Sequence, residues 1–272
     1  MKVIDIDHLT HKFSETSGIF DIDIQVKEGE SFGFLGPNGA GKTTTIRHLL
    51  GYIRPHSGTT QILGKDTWYQ ADEIQDYLGY VPGEIAFFDE MTGTEFLKFI
   101  QKYRGLKNVT LQKELIDRFE LDTKTVIKKM SKGTKQKLGL VSAFMHDPQV
   151  LILDEPTSGL DPLMQNRFVD LVQQEQKKGK TLLISSHLFE EVERTCHQVA
   201  IIRAGHIVAK DNIENLRAQH IRTYQVTLPT EAEALAFAKD YHGEQIGNQV
   251  KVSKTASLES IFLHYYGGDD DE

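Results

Sequence analysis

Gly36, Pro37, Asn38, Gly39, Ala40, Gly41, Lys42, Thr43 and Thr44 run in the pattern Gly-x-x-x-x-Gly-Lys-Thr. The run follows an apolar stretch, residues 32–35, and precedes a helix-patterned one, residues 44–50, which is the context a phosphate-cradling loop requires. The glycines let successive backbone N–H groups turn toward anionic oxygens, and the start of the helix adds a favourable field. Lys42 would bring a point charge to the β- and γ-oxygens, and the Thr43 hydroxyl would ligate Mg2+. A second group lies at residues 150–155, where Val-Leu-Ile-Leu ends in Asp154 and Glu155. Carboxylates at the C-terminal end of a buried strand stand where ligands gather in open α/β sheets. Asp154 is read as the Mg2+-holding group, and Glu155 as a general base that polarises the attacking water. The chemistry these residues fit is phosphoryl transfer.

Such groups need a rigid frame. Residues 3–9 largely alternate apolar and polar side chains and residues 20–26 do so strictly, the period of half-buried antiparallel strands. Residues 32–35, 150–153 and 181–184 are instead short, mostly apolar runs, as in parallel strands covered on both faces. Between the first two, residues 90–146 carry helical spacing and read as an insertion. Residues 198–203 and 206–210 flank Ala204-Gly205, a hairpin signal. After about residue 217 a new pattern begins: strand at 224–228, a Thr230-x-x-Glu233 capping box before a helix at 234–241, strand at 250–252 and helix at 258–266. The acidic run at 269–272 reads as a frayed tail.

The 272 residues include 31 basic and 39 acidic side chains, a formal net charge of −8. That is the wrong sign for holding nucleic acid by phosphate neutralisation, and no nucleic-acid partner is expected. The single Cys196 excludes an internal disulfide or a cysteine zinc site, which fits a reducing compartment. No apolar run approaches the ~20 residues of a membrane span, and the first residues lack a signal-peptide pattern. Any membrane role is expected to come through a partner.

Further motifs follow in a fixed order. Met130-Ser131-Lys132-Gly133-Thr134 precedes the 150–153 strand, Ser158-Gly159-Leu160-Asp161 follows it, and His187 comes after the 181–184 run. Together with the phosphate loop and the Asp154-Glu155 pair, they make the sequence over residues 1–215 resemble the ATP-binding cassette family. The resemblance is to the bacterial exporters of drugs, peptides or lipids within it. It implies that Ser131, Lys132 and Gly133 form the signature that contacts the ATP of another subunit. It further implies that Asp161 belongs to the D-loop, that His187 is the switch histidine at the γ-phosphate, and that Phe13 stacks on adenine. Where the family has a glutamine after the segment 78–82, this chain has Gly83 and then Glu84. Gly83 cannot make the glutamine's contact; Glu84 is either a substitute oxygen ligand for the metal or an exposed loop charge.

The fold class implied is α/β: a P-loop NTPase core with a mostly parallel sheet, an antiparallel β subdomain, a helical insertion at about 90–146 and a small C-terminal α+β appendage. The domains expected are 1–217 and 218–272. The function implied is an ATPase using ATP and Mg2+, working as a head-to-tail dimer with itself or a homologous cassette. It would power separately encoded integral-membrane permease subunits from the cytoplasmic face of the membrane. A soluble cassette ATPase of translation or DNA repair, or a regulatory cassette with weak hydrolysis, is the alternative. The appendage is either a packing cap or a dimer or regulator contact.

Overall fold

The computed structural model describes residues 1–219, 221–255 and 257–266; the acidic run at 269–272 lies outside them. The chain divides into two compact units, Met1–Lys210 and Asp211–Glu272, against the boundary expected at 217.

In the first unit, β1 (Lys2–Lys12) and β2 (Gly18–Lys27) pair antiparallel, with Ile4 opposite Val26, Ile6 opposite Ile24 and Leu9 opposite Ile22. These side chains are buried while their neighbours alternate outward, which is the origin of the period-2 pattern. After β3 (Ser31–Leu35) and α1 (Lys42–Leu49) come β4 (Ser57–Ile62) and β5 (Lys65–Asp66), which complete a four-stranded sheet in the order β2, β1, β4, β5. The β4 sequence Ser-Gly-Thr-Thr-Gln-Ile carries little apolar signal. It pairs because β1 presents an edge to it.

Next in the chain are α2 (Ala71–Gln75), β6 (Leu78–Val81), α3 (Gly93–Tyr103), α4 (Thr110–Arg118), α5 (Lys132–Phe144), β7 (Val150–Asp154), α6 (Pro162–Lys177), β8 (Thr181–Ser186), α7 (Phe189–Thr195), β9 (Gln198–Arg203) and β10 (His206–Asn212). The second sheet has the order β10, β9, β3, β8, β7, β6, and every pairing from β9 to β6 is parallel. β3, β7 and β8 are buried at every position, so apart from polar residues at their ends they are mostly apolar on both faces. Helices α3 to α5 form the expected insertion. α3 opens on a complete capping box, in which Glu95 N–H donates to Thr92 Oγ1 at 3.2 Å and Thr92 N–H donates to Glu95 Oε2 at 2.8 Å.

The second unit contains α8 (Ile213–Gln219), β11 (Ile221–Thr227), α9 (Glu231–Asp240), β12 (Glu244–Ile246), β13 (Gln249–Thr255) and α10 (Leu258–Tyr266). Its antiparallel sheet, ordered β11, β13, β12, packs Val250 against Ala234 and Ala238 of α9. The expected cap is present: Glu233 N–H donates to Thr230 Oγ1 at 3.3 Å. α8 packs on α10, which is why this segment groups with the second unit rather than the first.

Two buried groups of the first unit shape its response to pH. Burial pushes the Cys196 thiol up to about 12, so it stays protonated at neutral pH. His146 approaches the Leu78 carbonyl with Nε2 at 3.1 Å, and burial, then the charge of Arg104, push it down to about 4. An unfolded chain binds this proton from pH 6.5 downward while the folded one does not until about pH 4. Stability is therefore expected to fall across that window, by about 2 kcal/mol at pH 5 from this group. Thermal melts at pH 7.5 and 5 check it, and His146→Asn should show a shallower dependence.

Candidate functional site

The site forms where β3 and β7 end. β3 releases the chain into the loop 36–41, and α1 begins at Lys42 with Gly41 as its cap. Gly41 has φ +117°, and a Cβ there would stand 2.6 Å from Ile19 Cγ2, so only glycine admits this path. The loop and α1 wall a cleft of about 600 Å3, closed on the other side by Tyr80, Pro82, Gly83, Glu84, Glu155 and His187.

Lys42 is 5 % exposed. Its ammonium donates to the carbonyls of Gly36 at 2.5 Å and Pro37 at 3.2 Å and lies 3.1 Å from Glu155 Oε1. Oxygen on every side holds the charge at the mouth of the loop. Thr43 Oγ1 donates to Asp154 Oδ2 at 2.8 Å, and Ser185 Oγ donates to Asp154 Oδ1. The buried Asp154 is thereby oriented by a hydroxyl from each neighbouring element. Glu155 takes a left-handed turn, φ 49°, as soon as β7 ends. The turn swings its carboxylate away from Asp154, onto Lys42 and onto His187, whose Nδ1 lies 2.6 Å from Oε2. Glu155 is 17 % and His187 48 % exposed by side chain, so the carboxylate is sheltered and the imidazole reaches solvent. Burial, then the charge of Asp154, raise the Tyr80 hydroxyl above its ordinary range, so it stays protonated.

A hard cation fits this donor set. A hydroxyl and a carboxylate 2.8 Å apart offer only oxygen, which suits Mg2+ rather than a soft metal. Glu155 Oε1 makes no hydrogen bond beyond its ion pair with Lys42, so it faces the same cleft as a third oxygen.

The family model described as ABC transporter matches residues 19–158, a span that contains the phosphate loop, Asp154 and Glu155. The chain belongs to the ABC transporter family. This ABC cassette is 34% identical over 235 residues to the ABC transporter ATP-binding protein YcbN of Bacillus subtilis, covering 85% of the chain and 76% of that relative. It is 33% identical over 242 residues to the bacitracin transport ATP-binding protein BcrA of Bacillus licheniformis, covering 88% of the chain and 79% of the relative. Among solved structures, the ATP-binding subunit of an ABC transporter superposes with a TM-score of 0.73 at 29% identity, covering 80% of the cassette and 92% of that chain.

The cassette brings some of the expected residues together and leaves others apart. Glu84 lines the cleft and is exposed. Gly83 lies against the metal-side carboxylate: a Cβ there would come 3.1 Å from Asp154 Oδ2. A larger residue at 83 would crowd that oxygen, which gives the glycine a steric reason. Lys132 lines the cleft and donates to Ser158 Oγ at 2.8 Å. Ser131, Gly133 and Asp161 do not line it. Ser131 caps α5, accepting from Thr134 N–H at 3.1 Å, and Asp161 caps α6, accepting from Met164 N–H at 3.0 Å. Phe13 is 63 % exposed on the β1–β2 connection, outside the cleft lining.

Sequence reasoning missed several contributors. Arg47 stands one helical turn beyond Thr43 and lines the cleft, a spacing that the helix pattern shows. Gln136 on α5 donates to the Pro156 carbonyl at 2.8 Å and so ties α5 to the turn after Glu155. Ser185 gave no signal, because an isolated Ser at a strand end is common. Behind Phe13, the His11 ring packs edge-on at 4.9 Å, stacks on His56 at 4.2 Å and meets His48 at 5.0 Å. Burial lowers the pKa of both His11 and His48, which favours their neutral forms at pH 7.

Proposed function

We propose that this chain is the ATP-hydrolysing subunit of a membrane exporter whose permease is encoded separately, acting at the cytoplasmic face of the membrane. The observation that carries the reading is the contact chain Lys42, Glu155, His187 at the mouth of the phosphate loop, with ion-pair and hydrogen-bond distances of 3.1 and 2.6 Å.

In this reading the N–H groups of residues 38–43 cradle the phosphates, and Lys42 holds the β- and γ-oxygens. Mg2+ held by Thr43 and Asp154 would neutralise charge on the transferring group. The Glu155 carboxylate takes the proton of the attacking water as its oxygen bonds to the γ-phosphorus and the bond to the β-bridging oxygen breaks. ADP and inorganic phosphate leave. His187 orients that carboxylate through Nδ1 and presents its other ring nitrogen to a γ-oxygen. Phe13 and its histidine platform receive the adenine ring. Ser131, Gly133 and Asp161, which stand off the chain's own cleft, complete the site of a second copy or a homologous cassette in a head-to-tail dimer. The relatives' names, bacitracin transport among them, support a transported substrate.

No helix among the described residues is long and apolar enough to cross a membrane. Tagged protein drawn from detergent-solubilised membranes of the native host should carry a polytopic membrane protein in near-equal amount by mass spectrometry. Ribosomal or DNA-repair partners instead would replace this reading with the soluble-ATPase alternative.

A further inference from the structure

Glu191, on α7, is a buried carboxyl that the hydrolytic steps above do not use. Ser186 Oγ donates to its Oε2 at 2.5 Å, and Leu188 N–H donates to the same Ser186 Oγ at 3.0 Å. The turn that carries His187 is thus closed on one hydroxyl, Ser186 Oγ, which is in turn tied to Glu191. The other carboxyl oxygen of Glu191, Oε1, is buried with no hydrogen bond. Glu191 is held from its own helix too, where Thr195 Oγ1 donates to its carbonyl at 2.5 Å.

We infer that Glu191 is a positioning residue for hydrolysis: through Ser186 its carboxyl anchors to α7 the turn that carries His187, and so keeps the imidazole against Glu155. The assignment rests on the reading of Glu155 as the base and extends it to a residue outside the cleft. The physical need is plain. His187 is half exposed and reaches Glu155 across two separate turns, so its ring has to be held from behind. Displacements of about 1 Å in such constellations cost on the order of a hundredfold in rate. Burial, and then the negative charge of Glu155, push the Glu191 carboxyl up to about 7, against the hydrogen bond from Ser186. A neutral carboxyl is therefore one of its populated forms at neutral pH, and a glutamine amide reproduces its shape and hydrogen-bonding capacity.

The test is steady-state ATP hydrolysis together with ATP affinity, measured on the full chain for wild type, Glu191→Ala, Glu191→Gln, Ser186→Ala and Glu155→Gln. Glu191→Ala should lower kcat by about 10- to 100-fold while KM and the ATP Kd stay within about twofold, and Glu191→Gln should restore most of the turnover. Ser186→Ala, which leaves α7 intact, should lower kcat by about tenfold at unchanged affinity, and it decides the matter if Glu191→Ala does not fold. A kcat unchanged in Ser186→Ala and in folded Glu191→Ala overturns the positioning role. So does a parallel loss of kcat and ATP affinity in both Glu191 variants, which would mark a damaged cleft. Wild-type turnover that survives Glu155→Gln overturns the base assignment itself. Normal dependence on Glu155 with indifference to Glu191 overturns only the inference drawn from α7.

Discussion

Glu155→Gln should cut ATP turnover by about 10²- to 10⁴-fold, the usual worth of a general base, while ATP binding is kept. The substitution preserves volume, and the amide still accepts from His187 at the position where Oε2 now lies 2.6 Å from Nδ1. What it removes is the proton acceptor and one negative charge beside the phosphates. Affinity should rise if anything, because Lys42 no longer shares its charge with a carboxylate 3.1 Å away. With hydrolysis blocked, the ATP-bound dimer should persist and become visible as a faster-eluting species in size-exclusion chromatography with Mg-ATP. Phosphate release and nucleotide binding measured on the same preparation check both halves. Undiminished turnover would remove Glu155 from the mechanism.

Lys42→Ala acts at the other end of the same contact chain and should abolish binding instead. The ammonium is nearly buried and offers three N–H donors in a site of oxygen acceptors. Hydrogen bonds to charged groups contribute about 1.5–3 kcal/mol each, so losing two phosphate contacts weakens Mg-ATP binding by at least about a hundredfold. The variant also leaves the Glu155 carboxylate facing the phosphates without its compensating charge. Equilibrium dialysis with Mg-ATP measures the loss. Affinity within tenfold of wild type would mean that the backbone of residues 38–43 alone carries recognition. The contrast between the variants is diagnostic: one binds without turning over, and the other does not bind.

Much of this site was legible because its signals are local. The phosphate loop is contiguous, its glycines are demanded by backbone geometry such as φ +117° at Gly41, and the helix it opens begins at Lys42 itself. The buried strands β3, β7 and β8 were visible for the same reason, since each run of apolar residues reports burial on both faces. β4 was not, because an edge partner rather than its own polar sequence makes Ser57–Ile62 a strand. The limit of the first unit was misjudged for a related reason, as α8 takes its place by packing on α10, some forty residues further along.

The sequence by itself determined that a phosphate-binding loop and a strand-end carboxylate pair coexist in one α/β chain, because residue type and spacing suffice for both. Only the tertiary structure decided that Glu155 turns from Asp154 toward Lys42 and His187, that Gly83 lies against the Asp154 carboxylate, and that the His11 ring behind Phe13 meets those of His48 and His56. Those relations join residues tens to more than a hundred positions apart. They are set by the register of parallel strands and the direction of a single left-handed residue, and neither is written in any local pattern.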